Sequence, residues 1–189
     1  MNNKPLSSVI KSIVLGYVLI YFHINLGTID ILPDWAGYLL IVSALPFLAE
    51  KEKSAMLLKP LGIILALWKL VVWISAIMGM SINVYIINVT ISILSIYLNF
   101  QLITNIAALP MEASRKKRLL SLRSATVIIH TLTAILLAFP EISQAAIISA
   151  VFQVVMCVWI VIELGRLATA LKEEEDTEGE YNFGDDMQS

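Results

Sequence analysis

The stretch LGIILALWKLVVWISAIMG, residues 61–79, has a single charged side chain, Lys69, among its 19 residues. A helix needs about 20 mostly apolar residues to cross the hydrocarbon core of a bilayer. Pro60 comes just before the stretch, where proline suits the first turn of a helix, and Gly79 marks a tight turn at its end. The stretch therefore predicts one membrane-spanning helix.

The composition of the whole chain supports the same reading. The chain has 189 residues, of which 58% are hydrophobic and 15% are charged, whereas soluble domains average about 45–50% apolar and about 25% charged residues. A soluble protein of this length could not bury so much apolar surface, so lipid must be the solvent for much of it. The net charge of −2 indicates no nucleic-acid partner.

Further apolar runs predict an all-α, polytopic membrane protein with six transmembrane helices in three hairpins. The second run is short and the fourth is long, which predicts different tilts. The first run follows lysines, as a signal peptide does, but no small-residue cleavage site ends it, so it is read as a retained helix. The predicted helices span residues 10–28, 33–49, 61–79, 83–109, 122–140 and 142–165.

The positions of the basic residues predict the orientation. Lys and Arg are retained on the cytoplasmic side of membrane proteins. Twelve of the thirteen basic residues fall at the termini or in alternate links, and the other three links have none. Both termini are therefore predicted to be cytoplasmic. The twelve residues are Lys4, Lys11, Lys51, Lys53, Lys59, Arg115, Lys116, Lys117, Arg118, Arg123, Arg166 and Lys172.

The C-terminal segment differs from the rest of the chain in charge. Residues 173–189 contain eight acidic residues and no basic one. Such a polar segment has little apolar surface to bury, which predicts disorder. We therefore divide the chain into a six-helix transmembrane domain, residues 1–170, and an acidic, disordered cytoplasmic tail, residues 171–189. The tail is interpreted as a solubilising segment or as a contact for the cluster at residues 115–118, which also suits anionic lipid headgroups.

Lys69 is the first candidate for a functional site. It lies about 13 Å from the cytoplasmic edge of its predicted helix, near mid-membrane, where a lysine costs about 2.5–3.5 kcal/mol. Depth places Asn99, His130 and Gln153 at the same level. Two interpretations remain open: structural residues, with Lys69 extended toward water or against a tryptophan, or a site that holds an anion or carries protons.

A polar stripe on the fourth predicted helix adds to this layer. Asn88, Ser92, Ser95 and Asn99 recur at spacings of four, three and four residues, so they share one face. Such a stripe is typical of hydrogen bonding between helices, and alternatively of a water-lined path.

The first hairpin contains the other candidate group. It reads NLGTIDILPDWAGY from Asn25 to Tyr38, and His23 lies just before it. Asp30 and Asp34, with Asn25, offer oxygen ligands of the kind that hard cations prefer, although capping of the turn is the simpler role. We predict no metal site here.

This hairpin resembles the hallmark of a family of uncharacterised multi-pass membrane proteins of Gram-positive bacteria. The resemblance covers residues 16–41, and the chain departs from it with His23, where the family has an acid. It implies a bacterial plasma membrane and brings no activity, substrate or cofactor.

No motif of a soluble enzyme is present. The chain has no P-loop, Rossmann glycine pattern, zinc-protease motif or nucleophile elbow, and Cys157 is its only cysteine. We therefore predict a protein that is not an enzyme and has no cofactor. The leading hypothesis is transport of a small solute or ion through the polar layer, with the lipid bilayer as partner. The alternative is a non-catalytic membrane subunit, either a homo-oligomer or bound to a partner protein through the basic link and the acidic tail.

Overall fold

Six α-helices make up most of the computed structural model, which describes residues 4–22, 25–26, 29–30, 33–80, 82, 84–137 and 143–186. A short 3₁₀ helix, Lys53–Leu57, precedes the third, and two-residue strands β1 (Asn25–Leu26) and β2 (Ile29–Asp30) follow the first. The six helices are α1 (Leu6–Tyr21), α2 (Asp34–Ala49), α3 (Leu58–Ile77), α4 (Tyr85–Ala107), α5 (Ala113–Leu137) and α6 (Ser143–Asp186).

The helices are arranged as a ring in chain order. Each helix packs against the next one, and α6 returns to pack against α1. We call the end with the lysine- and arginine-bearing links the basic end, where α1, α3 and α5 begin, and the other the opposite end. Helices α3, α4, α5 and α6 are each long and apolar enough to cross a membrane, whereas α1 and α2 are shorter apolar helices.

The outward surface of the four long helices is apolar. Large side chains on this surface include Ile86, which is 76% exposed, and Ile128, which is 66% exposed. A soluble protein rarely exposes apolar surface over entire helices. The exposed apolar faces of these helices are therefore those of a membrane protein.

Two glycines set the closest helix contact. A Cβ atom added to Gly37 of α2 would lie 2.6 Å from the carbonyl oxygen of Gly16 on α1, and one added to Gly16 would lie 2.8 Å from the Gly37 oxygen. Small residues let helix backbones approach closely in a membrane, where packing rather than hydrophobicity drives association. The Gly16–Gly37 contact is therefore specific to glycine on both helices.

The prediction for the end of the first helix was wrong. We expected a helix over residues 10–28, but α1 runs from Leu6 to Tyr21, and Phe22 is extended. The residues that follow pair as antiparallel strands, Asn25 with Asp30 and Leu26 with Ile29. The apolar run continues past Tyr21, so hydropathy alone places the end too late. Helix α3 ends as predicted in a turn at Gly79, whose φ of 71° is easily adopted by glycine.

The link between the fourth and fifth helices is also more helical than predicted. Helix α5 begins at Ala113 rather than at residue 122, so the basic cluster of residues 115–118 forms its first turns. Arg118 lies 3.6 Å from the buried carboxylate of Glu163 on α6, and Arg166 donates to the same carboxylate at 2.9 Å. Arg166 lies three residues after Glu163 on the same helix, where side chains are neighbours, whereas Arg118 comes from α5.

Helix α6 continues to Asp186, so it includes residues 171–186 of the segment that we expected to be a disordered tail. Glu175 reaches the beginning of α1, where it accepts hydrogen bonds from the backbone N–H of Ser7 at 3.1 Å and from the Ser7 hydroxyl at 2.6 Å. The first N–H groups of a helix have no partner within the helix, and a carboxylate there also meets the positive end of the helix dipole. Glu175 therefore caps α1 from the other end of the chain.

We predict that Gly37→Ala lowers the stability of the bundle by about 1–3 kcal/mol, because the new methyl group overlaps the Gly16 carbonyl. Unfolding can be followed in detergent by thiol labelling of Cys157, which is the only cysteine and is buried. The control is Gly165→Ala on α6, where an added Cβ meets nothing within 4 Å. Equal labelling midpoints for Gly37→Ala and the native chain would disprove the close contact.

Candidate functional site

A cavity of about 260 Å³ lies inside the ring, and all six helices contribute to its wall. Nine of its thirteen lining side chains carry a polar group, which is unusual for the interior of a bundle of apolar helices. The lining residues are Ile20, Tyr21, Asp34, Tyr38, Lys69, Ile91, Ser92, Ser95, Ile96, His130, Thr133, Ala134 and Gln153.

Helix lengths show the depth of the cavity. Lys69 lies eight residues before the end of α3, and His130 lies seven residues before the end of α5. Gln153 lies ten residues after the beginning of α6. At 1.5 Å per residue, these helices extend about 10–15 Å beyond the cavity toward the opposite end. The cavity is therefore well inside the bundle on that side.

An ion pair crosses one wall of the cavity. The Lys69 Nζ atom lies 2.7 Å from Asp34 Oδ2, and the two side chains are 34% and 12% exposed. Asp34 is the first residue of α2, after Pro33 at the N-cap position. The sequence assigned Lys69 to the mid-membrane layer and Asp34 to the outer hairpin. The structure joins these two candidate groups in a single site.

The other predicted members of the polar layer divide into two sets. His130 and Gln153 line the same cavity as Lys69. His130 is 8% exposed, and its ring centroid lies 5.7 Å from that of Tyr21. Asn99 lies one helical turn below Ser95, where its amide oxygen accepts a hydrogen bond from Tyr17 and its Nδ2 donates to the Tyr21 hydroxyl at 3.2 Å. Asn99 therefore holds tyrosines in place under the cavity.

Two pairs of hydroxyl groups lie in and beside the lining, and the sequence analysis assigned Ser95 alone among them to the polar layer. The hydroxyls of Tyr38 and Ser95 lie 2.9 Å apart and connect α2 with α4. Those of Thr133 and Ser149 lie 2.5 Å apart and connect α5 with α6. Tyrosine was overlooked because it is compatible with a bilayer as well as with a polar site. The spacing of Tyr17 and Tyr21, four residues apart on one helix face, was the available signal.

The bundle is closed by apolar packing between the cavity and the basic end. The twelve largest fully buried side chains of the described part all lie on that side of the lining residues of their own helices. Close packing of this kind leaves no room for water. These side chains, which we call the apolar seal, are Ile10, Ile13, Ile41, Leu45, Leu48, Leu58, Leu65, Leu102, Ile103, Ile106, Leu119 and Ile160.

The outer hairpin offers less chemistry than the cavity. His23 lies outside the described residues, and Asn25 and Asp30 are described only as a backbone pair of strands β1 and β2. Within the described ranges, no three His, Cys, Asp or Glu side chains lie together as they would around a metal ion. Of this group, Asp34 is the residue whose side chain lines the polar cavity.

Comparisons with models of protein families, with curated proteins and with solved structures find no match to this chain. The resemblance of its first hairpin to a Gram-positive membrane family therefore stays a prediction.

We predict a measurable coupling between Lys69 and Asp34. Lys69→Met and Asp34→Asn should each lower the free energy of unfolding by about 1–3 kcal/mol, less than the 3–5 of a fully buried pair because Lys69 is partly exposed. The double variant should lose less than the sum, because it leaves neither charge without the other. Cys157 labelling in detergent provides the readout, with Lys51→Met, at an exposed lysine, as control. Strict additivity would show that the pair is not coupled.

Proposed function

We propose that this protein transports a small hydrophilic solute or ion, which it binds in the polar cavity. The observation that supports this function most is the convergence of all six helices on one cavity that contains the Lys69–Asp34 ion pair. Ionisable residues within membrane segments are costly, and they mark solute or ion pathways. Binding sites of membrane transporters also lie between helices, near the middle of the bilayer.

The proposed orientation has six membrane spans and both termini in the cytoplasm of a bacterium. The alternation of the basic residues supports this orientation, because the basic end then faces the cytoplasm. Helices α1 and α2 have 16 residues each, or about 24 Å, against a hydrocarbon core of about 30 Å.

We propose that the transport cycle alternates between a state closed toward the basic end and a state closed toward the opposite end. In the state described here the apolar seal separates the cavity from the basic end. A solute bound beside Lys69 can leave toward the cytoplasm only after side chains of the seal move apart. Hydroxyls of Tyr38, Ser95 and Thr133 make hydrogen bonds between helices that can be exchanged for solute contacts.

Flux through the purified protein tests this function. Proteoliposomes should show saturable uptake of at least one of three labelled probes, L-alanine, acetate and methylamine. Lys69→Met should reduce the uptake more than about tenfold, which corresponds to losing one charged contact. Lys51→Met should leave it unchanged, since this lysine lies on an exposed link. Uptake of all three probes at the level of empty liposomes would refute transport.

The orientation has a separate test. Single cysteines at positions 2, 112 and 180 in a Cys157→Ser background should react with a membrane-impermeant maleimide only after cells are opened. The proposal expects all three to be protected in intact cells, because each position lies at the basic end or in the termini. Labelling of any one of them from outside would overturn the six-span orientation.

A second candidate function is a membrane subunit that binds a partner protein. Helix α6 continues to Asp186, fourteen residues past Lys172 at the basic end, and Glu173 and Glu174 on it are exposed. A basic partner would suit this extension. This function is favoured over transport if a chain without residues 176–189 fails to replace the native chain in cells, whereas Lys69→Met replaces it.

A further inference from the structure

The charges in the cavity limit what it can bind. Among the described lining residues, Lys69 carries a positive charge and Asp34 a negative one, at a separation of 2.7 Å. The remaining polar groups are hydroxyls, an amide and an imidazole. A ligand must therefore compete with an existing ion pair.

A ligand with a single charge gains little from this competition. An anion that binds Lys69 draws the ammonium away from Asp34 and weakens an ion pair that is largely buried on the Asp34 side, which is costly. A cation at Asp34 does the same to Lys69. Either ion also adds net charge to a region of low dielectric constant.

We propose that the cavity takes a small zwitterionic solute of the amino-acid type, with its carboxylate on Lys69 and its ammonium group on Asp34. One ion pair is thereby exchanged for two, and no net charge enters the cavity. This inference rests on the proposed function, since it names the solute class of the same site. It requires Lys69 and Asp34 to separate far enough to admit the ligand, and the flexible lysine side chain permits that movement.

The size and the apolar part of the cavity specify the solute further. A volume of about 260 Å³ lies below the range of about 300–1,000 Å³ that is typical of sites for drug-sized ligands. The cavity also has an aliphatic portion, formed by Ile20, Ile91, Ile96 and Ala134. A zwitterion with a short aliphatic side chain suits both features, with the side chain against this apolar portion.

Binding to the purified full chain in detergent tests the inference without transport. The probes are L-valine and two analogues that each lack one charge, isovalerate without the ammonium group and isobutylamine without the carboxylate. L-alanine, glycine and γ-aminobutyrate extend the series in size and charge spacing. Tryptophan emission provides the readout, because Trp35 follows Asp34 directly and packs edge-on against Trp73 at 6.0 Å. The temperature midpoint of Cys157 labelling provides a second readout.

The expected result is saturable binding of at least one of the zwitterions, with each single-charge analogue of valine at least about tenfold weaker. Lys69→Met and Asp34→Asn should each weaken zwitterion binding by a similar factor. The milder replacements Lys69→Arg and Asp34→Glu, which keep both charges, should retain part of it. Lys51→Met should bind as the native chain does.

Three results would overturn the inference. They are binding of isovalerate or isobutylamine as tight as that of valine, no response to any zwitterion of the series by either readout, and unchanged zwitterion binding in folded Lys69→Met. Zwitterion binding without uptake into proteoliposomes would refute the proposed transport and support the inference. Uptake of acetate alone would support transport and refute the zwitterion.

Discussion

The ion pair between Lys69 and Asp34 depends on the depth at which α2 begins. A lysine near mid-membrane costs about 2.5–3.5 kcal/mol by insertion scales, so it needs a partner at its own level. Helix α2 supplies this partner because its first residue is Asp34. It begins beside Lys69, which is eight residues before the end of α3. Gly37 lies one turn further along α2 and packs directly on Gly16 of α1. The glycine contact therefore also fixes where the carboxylate stands.

Polar and apolar groups are separated along the bundle axis rather than between inside and outside. Toward the basic end the interior is filled by aliphatic side chains such as Leu45 and Leu102, which are fully buried. Above them Asn99 holds Tyr17 and Tyr21 through hydrogen bonds, and the polar cavity follows. A buried amide is stable only when its donors and acceptors are matched. The tyrosines satisfy the hydrogen bonds of the Asn99 amide and form a boundary between the packed half and the half that contains the cavity.

The sequence predicted the helices better than their ends. Hydropathy and the alternation of basic residues gave six apolar helices, and the bounds of α2, α3 and α4 were correct to within about three residues. The predicted helix bounds differ from the structure where hydropathy carries no information, at the polar first turns of α5 and in the acidic part of α6. Lys69, His130 and Gln153 were assigned to one level by counting residues. The Lys69–Asp34 pair was missed because residue counts assume that each hairpin reaches the membrane surface, and α2 begins well below the end of α3.

A polar cavity between helices requires the ring to be closed, and α6 closes it. Gln153 brings α6 into the cavity wall, and the same helix packs against α1. Far from the cavity, Glu163 holds Arg118 of α5, and Glu175 caps α1 at Ser7. These contacts attach α6 to both of its neighbours in the ring through polar side chains. The acidic residues that appeared from sequence to be a solubilising tail thus include one that helps to enclose the cavity.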